Sequence, residues 1–165
     1  MFQQSMFPVE ITHEEQYAGG TAHLRLTGVA RNGERYAIKT VGDDPILPIT
    51  EWFCYELCRY IGIPAPGCAV VQRPNGELAF GSRMDADVSE MGGKEISPAQ
   101  TWLLLKEMRA DLSAIYAADW FLPNPDRHVG NILYRQTQSG TKIPLAFDWS
   151  CVTSLAESPA FSQWS

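Results

Sequence analysis

Asp126, Asn131 and Asp148 are the residues of this chain whose types and spacing could do chemistry. The first two lie in Asn124-Pro125-Asp126-Arg127-His128-Val129-Gly130-Asn131, and the third lies in Phe147-Asp148-Trp149, 22 residues after Asp126. An Asp, an Asn five positions on, an apolar strand and a second Asp suit phosphoryl transfer from a metal-bound nucleotide. Asp126 can accept the proton of an incoming hydroxyl, and Asn131 and Asp148 offer the hard oxygen ligands that Mg2+ prefers. Either acid alone is more simply a turn residue in a salt bridge or a helix N-cap. All three in this order, on a strand–turn–strand frame, favour the chemical reading.

The elements that must position them are legible around them. Residues 132–134 and 145–147 read as paired short strands, joined by a polar turn over 136–142 that contains Gly140. Such a hairpin brings Asn131 and Asp148 to its open end. Upstream, Ser97 reads as an N-cap with Pro98 at the first helical position, opening two helices, or one broken helix, over about 99–122. Trp102, Leu103, Leu105, Met108, Leu112, Ile115, Tyr116 and Trp120 give that segment a broad apolar face. Pro123 and Pro125 end it and deliver the chain into the Asp126 loop. Trp102, Trp120, Phe121 and Trp149 are expected in the core. Arg127 and His128 are expected to support the loop, with neutralisation of substrate or phosphate charge as the alternative for Arg127.

The first half is strand-rich. Strands are predicted over 9–12, 23–29 and 35–41, with a hairpin turn at Asn32-Gly33, and a further hairpin joins 68–72 to 78–80 across Pro74-Asn75-Gly76. Residues 50–61 read as a helix with Thr50 as N-cap, apolar positions at 53, 54, 57, 58 and 61, and Gly62 as its stop. Residues 81–97 read as a polar connector without a sustained period. Lys39 ends the third strand, with Tyr36 and Ile38 on one face and Ala37 and Lys39 on the other. On the inner face of a curved sheet a lysine needs an anion, either a nucleotide phosphate or a helix glutamate. At a sheet edge it would instead point to solvent. Two glutamates are candidates. Glu51 sits in the first turn on the side of Cys54, Tyr55 and Cys58, and Glu56 projects with Trp52, Arg59 and Tyr60 and can pair with a neighbouring charge. Gly19-Gly20-Thr21 is the candidate phosphate cover, because glycines let backbone N–H groups approach phosphate oxygens. Neither a complete G-x-G-x-x-G nor a Walker A sequence is present.

These segments, in this order, resemble the HipA-like kinases of the wider protein-kinase-like superfamily. The Asp126–Asn131 loop and Asp148 are similar to that family's catalytic and metal-binding segments. Tyr36-Ala37-Ile38-Lys39 looks like its phosphate-lysine strand, and Glu51-Trp52-Phe53 through Gly62-Ile63-Pro64-Ala65-Pro66 like the following helix and its exit. The likeness runs over roughly residues 10–150. It implies a single α+β, protein-kinase-like domain of two lobes. An antiparallel-sheet N-lobe would occupy about 8–80, a hinge 81–97, and a short, mainly helical C-lobe 98–165. It implies ATP and Mg2+ as cofactors, with Lys39 held by Glu51 on the phosphates, Gly19, Gly20 and Thr21 covering them, and Asn131 and Asp148 on the metal. Asp126 would orient or deprotonate the acceptor, and His128 would orient Asp126 or bind its backbone. The acceptor so implied is a protein Ser/Thr, the chain itself included, although nothing in the residues chooses protein over lipid or small molecule. Members of that family carry a larger helical lobe after the metal-binding Asp, whereas 17 residues follow Asp148 here. A compact or C-terminally reduced member, a fragment of a longer one, or a binder that keeps nucleotide but has lost efficient transfer is therefore expected, its helices over 99–122 covered by self-association or a protein partner. The alternatives are a catalytically weak, nucleotide-binding pseudokinase and an interaction module acting through a partner.

Composition is consistent with these readings. The 165 residues are one domain's length, and 45% hydrophobic with 19% charged residues is ordinary for a globular chain. A formal charge of −6 argues against nucleic acid or an anionic membrane as the main partner. With neither an 18-residue apolar run nor a signal-peptide pattern, the cytoplasm is the expected location. Cys54, Cys58, Cys68 and Cys151 form no C-x-x-C pair, and His13, His23 and His128 are scattered, so buried free thiols are expected rather than a zinc site.

Overall fold

The computed structural model describes residues 7–17, 26–93 and 96–152; Gly19, Gly20 and Thr21, the candidate phosphate cover, lie outside them. Two compact units divide the chain. One holds the described residues of 1–53 and 66–86, the other those of 54–65 and 87–152.

In the first unit, β1 (Val9–Gln16), β2 (Leu26–Ala30) and β3 (Arg35–Lys39) precede α1 (Leu47–Ile61), which belongs to this unit as far as Phe53 and to the second from Cys54, and β4 (Cys68–Gln72) and β5 (Leu78–Arg83) follow it. The strands close into a barrel in the order β1-β2-β3-β5-β4. Neighbours are antiparallel except at the seam, where Val9 and Glu10 of β1 run parallel to Val71 and Gln72 of β4. The expected antiparallel sheet is thus closed on itself by one parallel pair. Two hairpins turn on the same chemistry. Gly33 and Gly76 adopt φ of +85° and +86°, and the Asn before each accepts the backbone N–H of the Glu after it.

The barrel is filled by its own side chains. Ile11, Ala30, Tyr36, Ile38, Val71 and Ala79 form the core. Gly28 and Gly81 make room for them, since a Cβ at Gly28 would lie 2.6 Å from Ile38 and one at Gly81 2.5 Å from Val71. Because Tyr36 and Ile38 point inward, alternation puts Lys39 on the outer face of the barrel and not, as expected, on the inner one. The apolar interior offers no anion; the outer face offers Glu51.

Helix α1 begins a turn before Thr50. Asp44 accepts the Ile46 N–H, and the Thr50 N–H already donates to the Ile46 carbonyl, so Thr50 is inside the helix and not its N-cap. Pro48, which lacks an N–H, fits the first turn. Glu51 consequently falls beyond the first turn, which holds no acid. The buried stripe runs Leu47, Glu51, Cys54, Tyr55 and Cys58, a helical spacing, whereas Phe53 and Ile61 are exposed.

The second unit carries the sheet β6 (Val88–Glu90), β7 (Ile132–Gln136) and β8 (Lys142–Ala146), in that order and antiparallel, beside α2 (Pro98–Glu107) and α3 (Arg109–Phe121). Strand β6 lies within the stretch expected to be a connector; three residues are too few to show a period. Ser97 and Gln100 form a reciprocal capping box at the start of α2, and the chain breaks direction at Met108. Leu104, Met108, Leu112, Ile115, Ala118 and Leu122 are buried. Trp102, Trp120 and Phe121, expected in the core, are exposed, and only Trp149 of that set is buried. Trp120 stands two positions from both Ala118 and Leu122, which turns it about 200° away from either on a 3.6-residue helix. Among the described residues no helix is long and apolar enough to cross a membrane.

Candidate active site

In the first unit, the Lys39 ammonium forms an ion pair with the Glu51 carboxylate. Both are buried, at 5% and 0% exposure. Removing two charges from water is costly, and a pair so enclosed persists only because each neutralises the other. Glu56, the alternative partner, instead pairs with Arg59 one helical turn on. The buried stripe decides between them: Glu51 lies on it and Glu56 lies off it.

In the second unit, the end of the β7–β8 hairpin is held by one side chain. Ile132 pairs with Ala146, so Asn131 and Phe147-Asp148 leave the hairpin at the same end. Arg127 Nη1 donates to the Asn131 carbonyl at 2.6 Å and to the Phe147 carbonyl at 2.5 Å. Its opposite edge, Nε and Nη2, donates to the Asp119 carboxylate near the end of α3 at 2.9–3.2 Å. The guanidinium lies 4.5 Å from the centre of the buried Trp149 ring. Asn124 completes the cluster, its Nδ2 donating to Asp119 at 3.0 Å. The Arg127 side chain is only 2% exposed, which makes it an internal fastening and not a surface charge for phosphate.

Around that fastening the three candidates take distinct positions. Asp126 is exposed. Asn131 is buried, and its Nδ2 donates to the Asp126 carbonyl at 2.9 Å and lies 3.4 Å from Oδ2. Its amide nitrogen is thereby committed to Asp126, and the oxygen is turned the other way. Asp148 is half-buried at φ +58°, the one described non-glycine residue with positive φ. Asp tolerates that region better than most residues, and such outliers concentrate where a side chain must be aimed. Its Oδ1 accepts from the Ser150 backbone N–H at 3.3 Å and from the Ser150 hydroxyl. Two hard oxygen donors at one hairpin end, both held by second contacts, fit a magnesium ion.

His128 is exposed, and its Nδ1 accepts the Gly130 N–H at 3.0 Å, capping the short 3-10 turn Val129–Asn131. That contact shapes the loop backbone and is not made to Asp126. The turn after β6 buttresses the loop: Met91 donates to the Ile132 carbonyl, and a Cβ on Gly92 would lie 3.0 Å from the Gly130 Cα. Cys58 is buried near Arg127 and Asp119; burial is the main cause that pushes its thiol up to about 12, against the lowering effect of Arg127. Such a thiol stays protonated and unreactive at neutral pH.

No family model and no curated protein matches this chain. Among solved structures, it is similar to the proinflammatory kinase CtkA of Helicobacter pylori. The TM-score is 0.61 at 15% identity, over 94% of this chain and 62% of that one. The chain has a kinase-like fold. At that identity the likeness is one of fold, and this chain spans under two thirds of the kinase's length.

Sequence reasoning missed the roles of Asp119 and Asn124. A signal for Asp119 existed, since it stands four residues after Ile115 and three before Leu122, on the buried stripe of α3. A carboxylate at a core position of an amphipathic helix calls for a buried cation. Asn124 carries no comparable signal.

Proposed function

We propose that this chain is a HipA-like phosphotransferase of the two-lobed kinase type, moving the γ-phosphoryl group of Mg-ATP to a hydroxyl acceptor, with protein Ser/Thr, its own included, as the acceptor class. The observation that carries the reading is the β7–β8 hairpin end, where Asn131 and Asp148 leave together beside an exposed Asp126. In this reading Asp126 orients the acceptor hydroxyl and takes its proton. Asn131 and Asp148 hold Mg2+, which supplies neutralisation of charge on the phosphate oxygens. Lys39 binds a nucleotide phosphate, and Glu51 keeps its ammonium in position. Gly19, Gly20 and Thr21 cover the phosphates, and His128 shapes the loop. The reading places the protein in the cytoplasm.

Thermal stability with and without ATP and Mg2+, in wild type and in Asp148→Ala, tests it. Ligand at about a hundredfold its dissociation constant adds roughly 2.7 kcal/mol. A magnesium-dependent rise that Asp148→Ala loses is the expected result; no rise in the wild type would refute nucleotide binding.

A second reading, an interaction module that keeps nucleotide but transfers slowly, is favoured by exposed Trp102, Leu103, Trp120 and Phe121 on α2 and α3. Tight Mg-ATP binding with no turnover, together with self-association or partner binding lost in Trp102→Ser/Trp120→Ser, would select it.

A further inference from the structure

We infer that Arg127 is a positioning residue that sets the separation of the two metal-holding side chains, an inference that rests on the functional reading above. Four of its five N–H groups are in use: Nε and one on Nη2 to Asp119, and both on Nη1 to the carbonyls of Asn131 and Phe147. The Asn131 carbonyl belongs to one metal-holding residue, and the Phe147 carbonyl belongs to the peptide that enters the other. A single planar nitrogen therefore spans the two backbones, and the distance between them follows from its geometry. Asp119 fixes the far edge of the guanidinium, and the Trp149 ring lies against its face. Because Trp149 directly follows Asp148, the ring also anchors the turn that holds Asp148 at φ +58°.

The effect is geometric and not one of charge. Asp119 neutralises Arg127, and at 2% exposure the guanidinium does not reach a phosphate in solvent. A lysine would keep the charge but could not bridge two carbonyls while gripping a carboxylate along an edge. Outer contacts of this kind set metal affinity, and their loss typically weakens it by 10–100-fold.

The test uses the whole chain and Mn2+ as the probe, counting free ion by its paramagnetic resonance at saturating ATP. Arg127→Lys and Asp119→Asn are compared with the wild type, and nucleotide affinity is measured separately in EDTA. The expected result is a Mn2+ half-saturation raised roughly 10–100-fold in Arg127→Lys, with ATP affinity in EDTA within about twofold of wild type. A folded Arg127→Lys whose Mn2+ half-saturation stays within about twofold of wild type would overturn the inference. If Arg127→Lys does not fold, Asp119→Asn, which keeps an acceptor for Nε, is read by the same criterion. A wild type that takes up no Mn2+ with ATP refutes the functional reading itself, a result distinct from either of these.

Discussion

Two buried ion pairs, one in each compact unit, are built to opposite designs. Lys39 reaches Glu51 with a compact ammonium on a flexible four-carbon stem, on the outer face of a closed barrel. Arg127 grips Asp119 along one edge, bonds two carbonyls with another and rests on an indole. A lysine can turn its three donors to a new anion at little geometric cost, whereas an arginine so engaged cannot move without releasing the loop. The first pair is thus suited to sharing its charge with a ligand, and the second to holding still the backbone that carries Asn131 and leads into Asp148.

The widest difference should appear in rate. On the proposed function, Asp126→Asn removes the proton acceptor from the loop that Arg127 holds, and phosphoryl transfer should then fall roughly 100–10,000-fold in initial-rate assays with ATP. Its stability should move by no more than about 0.5 kcal/mol, since the side chain is exposed. An unchanged rate would leave the Arg127 fastening with no chemistry to support and erase the functional half of the contrast.

Next in size are two apolar double replacements with opposite signs. Lys39→Met/Glu51→Leu should be neutral or more stable by about 1–4 kcal/mol in urea denaturation, because a buried pair exchanged for packed side chains often is. Arg127→Met/Asp119→Leu should instead lose about 1–3 kcal/mol for each carbonyl left without its donor. Equal signs would break the comparison.

Cys58 sharpens it further, because its thiol lies in the field of the Arg127–Asp119 pair yet is governed chiefly by burial. Its ordinary value of 9.0 is raised to about 12. The contribution is therefore fully present below pH 9.0 and is lost as pH rises toward 12. Over that window, folding stability should fall by up to about 1.4 kcal/mol per pH unit more steeply in wild type than in Cys58→Ala. Parallel pH curves would mean that the pair, and not burial, controls the thiol. The smallest effect belongs to the half-buried alternative to Glu51: Glu56→Gln, which weakens the pairing with the exposed Arg59, should cost no more than about 0.5 kcal/mol by thermal melting.

Legibility in the sequence followed the range of the forces involved. Hairpins that turn on Asn-Gly, the Ser97–Gln100 cap and the placing of Asn131 and Asp148 at one hairpin end are local matters of turn chemistry and alternation, and they could be read directly. Closure of the barrel could not, because the seam joins Val9 to Val71 through a parallel pair that no local pattern encodes. The start of α1 was misplaced because Thr50 is a good cap by type, while Asp44 and Pro48 act a turn earlier. Exposure of Trp102, Trp120 and Phe121 was missed because apolar type was read as burial, although the stripe through Leu104, Leu112 and Ile115 already faced elsewhere. The placing of Asp126 beside Asn131 was legible; the fastening by Arg127 and Asp119 was not, since it depends on contacts between a helix end, a loop and a hairpin.

The glycines inside the barrel bear on how this sequence can drift. A methyl at Gly28 would meet Ile38 at 2.6 Å and Ile11 at 2.7 Å, and one at Gly81 would meet Val71. An added methyl at either position requires those side chains to shift. In any lineage that keeps the barrel, an alanine at 28 should travel with a shorter residue at 38 or 11, and an alanine at 81 with a shorter one at 71. Such linked changes would mark descent from this barrel even where the residues of the loop had been lost.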